Sequence, residues 1–242
     1  MKLGRYPWLN CLLPYFCIEK GIFAGVEPVT GYPRDLTQML IERKISATPV
    51  PSFLYFKNKN HISISPGFSI TSKGKVMSVI LTSERYNRIF KGARIGVSGY
   101  STTSYNLLKI ILAEMDMECS IEYMPSNKFM GDYDFVLWIG DDALNHTDKV
   151  VMDLGEEWFR IAGKPMVFAV LCGMNDAGEI MRKSVECGRK KIQEIVNIAV
   201  RKYGYQQEFI EEYLRCLRYG WGREEEKGLR EFEERCREYK LI

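Results

Sequence analysis

Ala93-Arg94-Ile95-Gly96-Val97-Ser98-Gly99-Tyr100-Ser101-Thr102-Thr103-Ser104 carries the reading of this chain's architecture. The first five residues read as a strand, the next as a hydroxyl-rich loop, and Leu107, Leu108, Ile111 and Leu112 then recur at helical spacing. The run is therefore strand, loop, helix N-terminus. Downstream, Phe135-Val136-Leu137-Trp138-Ile139 is a continuous apolar strand ending in Gly140-Asp141-Asp142-Ala143-Leu144, and Pro165 to Leu171 is another. Continuous apolar strands alternating with helices indicate an α/β class with parallel sheets covered on both faces.

Upstream, Gly4 to Leu9 reads as a short strand, Asn10 to Pro14 as a helix start, and a second short strand ends in Val29. Pro33 suits the first turn of a helix carrying Leu36, Met39, Leu40 and Ile41. Ile45 to Val50 is strand-like, and Pro49 and Pro51 confine it to a strand end or sheet edge. Val76 and Val79 to Leu81 read as a buried strand. Beyond Gly173 the chain turns to charged helices over Ile180 to Tyr203, Gln207 to Leu217 and Arg223 to Tyr239. No flexible linker separates these units, so two α/β units joined by structured strands predict lobes around a shared cleft.

Composition removes several function classes. A hydrophobic content of 46% excludes disorder. The net charge of +3 offers no concentrated basic face for nucleic acid and suits a protein that handles a small anion. No apolar run approaches a membrane span of about 20 residues. Met1 to Arg5 lacks the apolar core of a signal peptide, so a cytoplasmic protein is expected. The seven cysteines are scattered without a C-x-x-C, which predicts reduced and mostly buried thiols. His61 and His146 stand apart in polar loops, and no G-x-S-x-G, P-loop or H-E-x-x-H occurs.

Polar residues at strand ends are the candidates for chemistry. Asn10 is either a helix N-cap or an amide reaching into a cleft. Ser72, Gly74 and Ser78 sit on alternate positions, so a strand crossing a cleft would point them one way; the plainer account of Ser78 is a buried strand serine. Ser101, Thr102, Thr103 and Ser104 at a helix start form either a capping box or an anion site. Asp141 and Asp142 follow Gly140 where residues at carboxyl ends of parallel strands line ligand sites, though first-turn acids explain them equally.

Taken together, eight segments in order resemble the menaquinone-biosynthesis family that contains chorismate dehydratase. They are Gly4-Arg5 with Trp8 to Pro14, Gly31 to Leu36, Val50 to Tyr55, Gly74 to Val79, Ser101 to Ser104, Ile139 to Leu144, Asp153 to Trp158, and Gly163 to Ala169. The resemblance implies a two-lobed, type II periplasmic-binding-protein-like α/β fold with a central cleft. It implies one lobe from residues 1–82 plus 170–242 and a second from 83–169. It implies Asn10 and Ser78 as catalytic residues, with Ser52, Ser101, Thr102, Thr103, Ser104, Gly140 and Asp141 binding substrate. Thr102 stands where the family carries an arginine, which removes a charge partner for that substrate. The implied reaction takes the dianion chorismate to 3-[(1-carboxyvinyl)oxy]benzoate and water, in the futalosine route to menaquinone. Neither metal nor organic cofactor is implied, nor a nucleic-acid or membrane partner, and the oligomeric state stays open. A related lyase acting on another cyclic carboxylate, and a non-catalytic anion-binding protein of the same fold, remain the alternatives.

Overall fold

The computed structural model describes every residue except Tyr100 and 126–129, so Tyr100 of the hydroxyl-rich loop lies outside the described residues. The first stretch runs β1 (Lys2–Arg5), α1 (Leu12–Glu19), β2 (Glu27–Thr30), α2 (Pro33–Ile41), β3 (Ala47–Pro51), α3 (Ser52–Asn58) and β4 (Ile64–Ser72). A second runs β5 (Val79–Thr82), β6 (Arg94–Val97), α4 (Thr102–Glu114), β7 (Ser120–Tyr123), β8 (Phe135–Ile139), α5 (Asp141–Leu144), β9 (Val150–Asp153) and α6 (Leu154–Ala162). The chain then returns through β10 (Met166–Gly173), α7 (Asn175–Lys190), α8 (Ile192–Tyr203), α9 (Gln207–Cys216), β11 (Leu217–Arg218) and α10 (Arg223–Glu238). No described helix is long and apolar enough to cross a membrane.

Two sheets result among the described residues, ordered β11-β4-β10-β3-β1-β2 and β7-β6-β8-β5-β9. The expectation of parallel sheets is corrected, because both are mixed. β10 runs antiparallel to β3 and β4, and β5 runs antiparallel to β8 and β9. Each of these strands enters its sheet from the opposite sheet's territory and so arrives with reversed direction. Sheet membership also differs from the expected division at two strands: 79–82 belongs to the second sheet, and 166–173 to the first.

Local corrections have local causes. β1 stops at Arg5, not Leu9, because Pro7 has no N–H to continue a ladder. β3 is interior rather than an edge: β10 pairs with it along its length, while β1 pairs only at Leu3 with Ala47. Pro49 and Pro51 are tolerated because the β1 ladder ends before they would have to donate. The expected helix over Ile180 to Tyr203 is two helices broken at Lys191. Residues 73–78 are no strand, so the alternation of Ser72, Gly74 and Ser78 does not aim them together.

Helix ends follow ordinary capping rules. Pro33 opens α2 with Asp35 in its first turn. Gly163 ends α6 in the left-handed region at φ 61°, which favours glycine. α1 is buried nearly all round, from Leu12 to Ile18, and lies against α7. There Cys17 and Cys187 form a disulfide. This corrects the expectation of uniformly reduced thiols: packing of α1 on α7 joins cysteines 170 residues apart, which no local spacing could reveal. Cys11, Cys172 and Cys236 are free and buried.

Candidate active site

Strand directions place the candidate residues on two facing edges. In the first sheet, β1, β3 and β4 all end at the edge where β10 begins, so the chain leaves that edge toward Asn10, Ser52 and residue 73. In the second sheet, β6 and β8 end where β5 begins, which gathers Ser98, Gly140 and Ser78 along one edge. Two hydrogen bonds span the gap between these edges. The Leu9 N–H donates to the Asp141 carboxylate at 2.9 Å, and the Phe53 N–H donates to Thr103 Oγ1 at 3.2 Å.

Asn10 lies in a single 3-10 turn, Leu9–Cys11, between β1 and α1. It caps neither helix: Trp8 and Cys11 occupy the cap positions, and no side chain supplies a cap bond. Its Oδ1 is buried without a hydrogen-bond partner. Its backbone carbonyl accepts the Tyr219 hydroxyl at 2.7 Å.

Ser78 is set in place by a carboxylate from the other connection between the sheets. Asp153, at the end of β9, accepts the Val76 and Met77 N–H groups and also caps α6 through the Gly155 and Glu156 N–H groups. Met77 takes φ 62°, a conformation costly for a non-glycine residue, so the Asp153 bond at 2.7 Å is what holds this turn. Gly155 is required beside it, since a Cβ there would stand 2.6 Å from Ser72 Oγ and 2.7 Å from the Gly74 carbonyl. The Ser78 carbonyl then accepts the Gly140 N–H at 2.8 Å.

Asn10, Ser78, Gly140 and Asp141 are thereby joined into one cluster. The Trp8 indole lies against Gly140, its ring 3.6 Å from the position a Gly140 Cβ would occupy. Burial pushes the Asp141 carboxyl up to about 6 against the opposing Leu9 N–H bond; the Asp142 charge adds to the rise, and Lys202 and Arg5 oppose it. Arg5 is itself buried and ion-paired with Glu19 at 2.6 Å.

The remaining candidates are placed differently. The Ser52 hydroxyl is spent on the Val167 carbonyl at 2.6 Å, inside the first sheet's packing. Ser101 caps α4, accepting the Ser104 N–H at 3.3 Å and donating to Ser104 Oγ at 3.0 Å. Thr102 is half-buried, and Thr103 carries the cross-link to Phe53. Among the described residues, no group of three or more His, Cys, Asp and Glu side chains could hold a metal ion. A surface groove of about 1030 Å³ lined by Met77, Asp153 and Phe209 contains none of the nine candidates.

Sequence reading missed Asp153 as the holder of the turn before Ser78 and Tyr219 as the donor to the Asn10 carbonyl.

Residues 1–238 match the sequence profile of a family described as Menaquinone biosynthesis. The chain belongs to that family. A relative within reach of this menaquinone-biosynthesis family member is the chorismate dehydratase of Thermus thermophilus, 25% identical, with 87% of this chain and 86% of that protein covered. Among solved structures, a protein from Archaeoglobus fulgidus matches with a TM-score of 0.79 at 17% identity, covering 100% of this chain and 98% of that one. The periplasmic aliphatic sulphonate binding protein of Escherichia coli matches with a TM-score of 0.68 at 12% identity, covering 100% and 88%. The family member therefore has the periplasmic-binding-protein-like α/β fold.

Proposed function

We propose that this chain is a cytoplasmic chorismate dehydratase that forms 3-[(1-carboxyvinyl)oxy]benzoate and water on the futalosine route to menaquinone. The reading is supported by the buried, unpartnered amide oxygen of Asn10 and by the bonds that run from the neighbouring Leu9 through Asp141 and Gly140 to Ser78. Family membership and the name of the Thermus relative support it.

The reaction breaks the C–H bond at the ether-bearing ring carbon and the C–O bond of the neighbouring hydroxyl. The freed electron pair becomes the third ring double bond, and hydroxide takes up the proton as water. Aromatisation makes this steeply downhill, so the protein needs no strong base. The substrate's own enolpyruvyl carboxylate takes the proton, since Asp141 is engaged with Leu9. Ser78 donates to the ring carboxylate as electrons move toward it. Asn10 orients the side-chain carboxylate or the leaving hydroxyl, and the start of α4 holds a carboxylate of the dianion. Positioning and preorganised donors of this kind supply large rate factors.

Incubation of the chain with chorismate, followed by chromatography and mass spectrometry, should show a product lighter by one water. Unchanged chorismate with measurable binding would instead favour the reading as a non-catalytic anion-binding protein. Turnover of a different cyclic carboxylate would favour a related lyase.

A further inference from the structure

The C-terminal helices form a second pocket, apart from the gap between the two sheets. Its volume is about 450 Å³, and its walls come from α1, α7, α8, α9 and the segment from β11 to Tyr219, with no residue from the second sheet or its helices. That size is ordinary for a small-molecule site. The floor is apolar: Leu13, Val196, Leu214 and Leu217 are all buried, and Ile192 stands at the rim with 38% of its surface exposed.

Two arginines complete the lining, Arg189 in the last turn of α7 and Arg215 in the last turn of α9. The carboxyl ends of helices favour cations, so both guanidinium groups are held there without a carboxylate partner. Neither joins an ion pair or donates a hydrogen bond among the described residues. Glu211 also lines the pocket, four residues before Arg215, a spacing at which opposite charges pair on a helix. Its carboxylate instead accepts the Gln207 amide at 2.8 Å. The Gln193 amide is turned along α8 toward Asn197. Two cations and one anion leave an excess of positive charge beside an apolar floor.

We propose that this pocket binds an aliphatic organic monoanion, with its chain on the leucine and valine floor and its carboxylate at the arginine rim. Guanidinium groups take carboxylates in strong, charge-assisted pairs. The walls are mostly aliphatic, which suits an unbranched chain. Two of them lead inward to Asn10: Leu13 follows the Asn10 turn directly, and Tyr219 donates to the Asn10 carbonyl at 2.7 Å. A bound chain therefore slows local opening of residues 9–13. The site does not depend on the proposed dehydratase reading.

Calorimetry and amide hydrogen exchange on the full chain test it, with octanoate as the probe. Octanoate should bind, and hexanoate about tenfold more weakly, since each buried methylene is worth roughly three- to fourfold. Uncharged octanol should bind more weakly than octanoate. The double variant Arg189→Gln with Arg215→Gln should melt as wild type does and lose about tenfold or more in octanoate affinity. Bound octanoate should slow exchange at residues 9–13, 189–196 and 211–219. No binding by wild type, equal affinity in the double variant, or protection at residues 101–104 and 140–144 in place of those segments would overturn the proposal. None of these readings needs turnover of chorismate, so an inactive wild type would remove the proposed function and leave this test intact.

Discussion

At the scale of single residues, the site holds a buried amide oxygen without a partner, at Asn10, and a carboxylate, Asp141, that is engaged by the protein's own Leu9 N–H. If Asn10 and Ser78 act on charge that shifts during aromatisation, their contacts strengthen in the transition state. Ser78→Ala and Asn10→Ala should then each lower kcat by about a hundred- to a thousand-fold, the usual loss for one preorganised donor. Product affinity and melting temperature measured on the same variants should move far less. Asn10 is not a cap, so its loss carries no capping penalty. Near-normal kcat in both folded variants would remove them from the site.

Asp141 makes a pH prediction whose sign is set by burial. Its pKa in the folded chain, about 6, lies above the ordinary carboxylate value. The folded state therefore binds this proton more tightly than the unfolded one. The stabilisation this provides is complete below about pH 4 and is lost as pH rises through 6. Relative to Asp141→Asn, wild type should lose up to about 3 kcal/mol across that window, at roughly 1.4 kcal/mol per pKa unit. Parallel urea midpoints for the two proteins from pH 4 to 7 would show that Asp141 does not titrate there. The same variant tests the choice of base, because kcat should fall less than about tenfold if the substrate supplies its own.

At the scale of elements, the turn at Val76-Met77 depends on a carboxylate 76 residues away in sequence from Met77. Asp153→Ala removes the α6 cap, worth about 1 kcal/mol, and leaves two N–H groups unpaired, at roughly 1–3 kcal/mol for each buried group. A loss of about 3–7 kcal/mol is expected in denaturant unfolding, with a fall in kcat because Ser78 is no longer held. The α1–α7 pair depends similarly on Cys17 and Cys187. Thiol labelling of the native chain should spare both, and Cys17→Ser should cost about 2–5 kcal/mol, the usual loss for a long-range bridge. Equal labelling of all seven cysteines under mild denaturation would contradict the bridge.

At the scale of the whole molecule, two connections join the sheets, one through residues 73–78 and one through residues 163–165 after α6. Bonds that bridge the sheets' territories lie across the gap: Leu9 to Asp141, Phe53 to Thr103, Tyr205 to Asn145, and Arg235 to Glu114. We take the sheets as the cores of two lobes that close on ligand, the usual response of such an architecture. X-ray scattering at saturating product should show a smaller radius of gyration than the free protein. Superimposable profiles would argue for a fixed gap.

The sequence by itself determined the alternation of strands and helices and the order of the family segments. It also placed Gly140-Asp141 correctly after a strand, whereas the strands it drew up to Asn10 and through Ser78 end at Arg5 and begin at Val79. Those features are local, because hydrophobic periodicity, proline placement and strand-end composition act over a few residues. Only the tertiary structure decided what those residues face. The insertion of β10 antiparallel between β3 and β4 depends on strand partners more than 90 residues away in sequence. The same holds for the Cys17–Cys187 bridge, for Asp153 behind the turn that leads to Ser78, and for Tyr219 behind Asn10. Tyr213 reads as core at its helical spacing, and nothing local tells that its hydroxyl is left unpaired. Desolvation and hydrogen-bond pairing are properties of the surroundings, and the surroundings exist only once the chain has closed on itself.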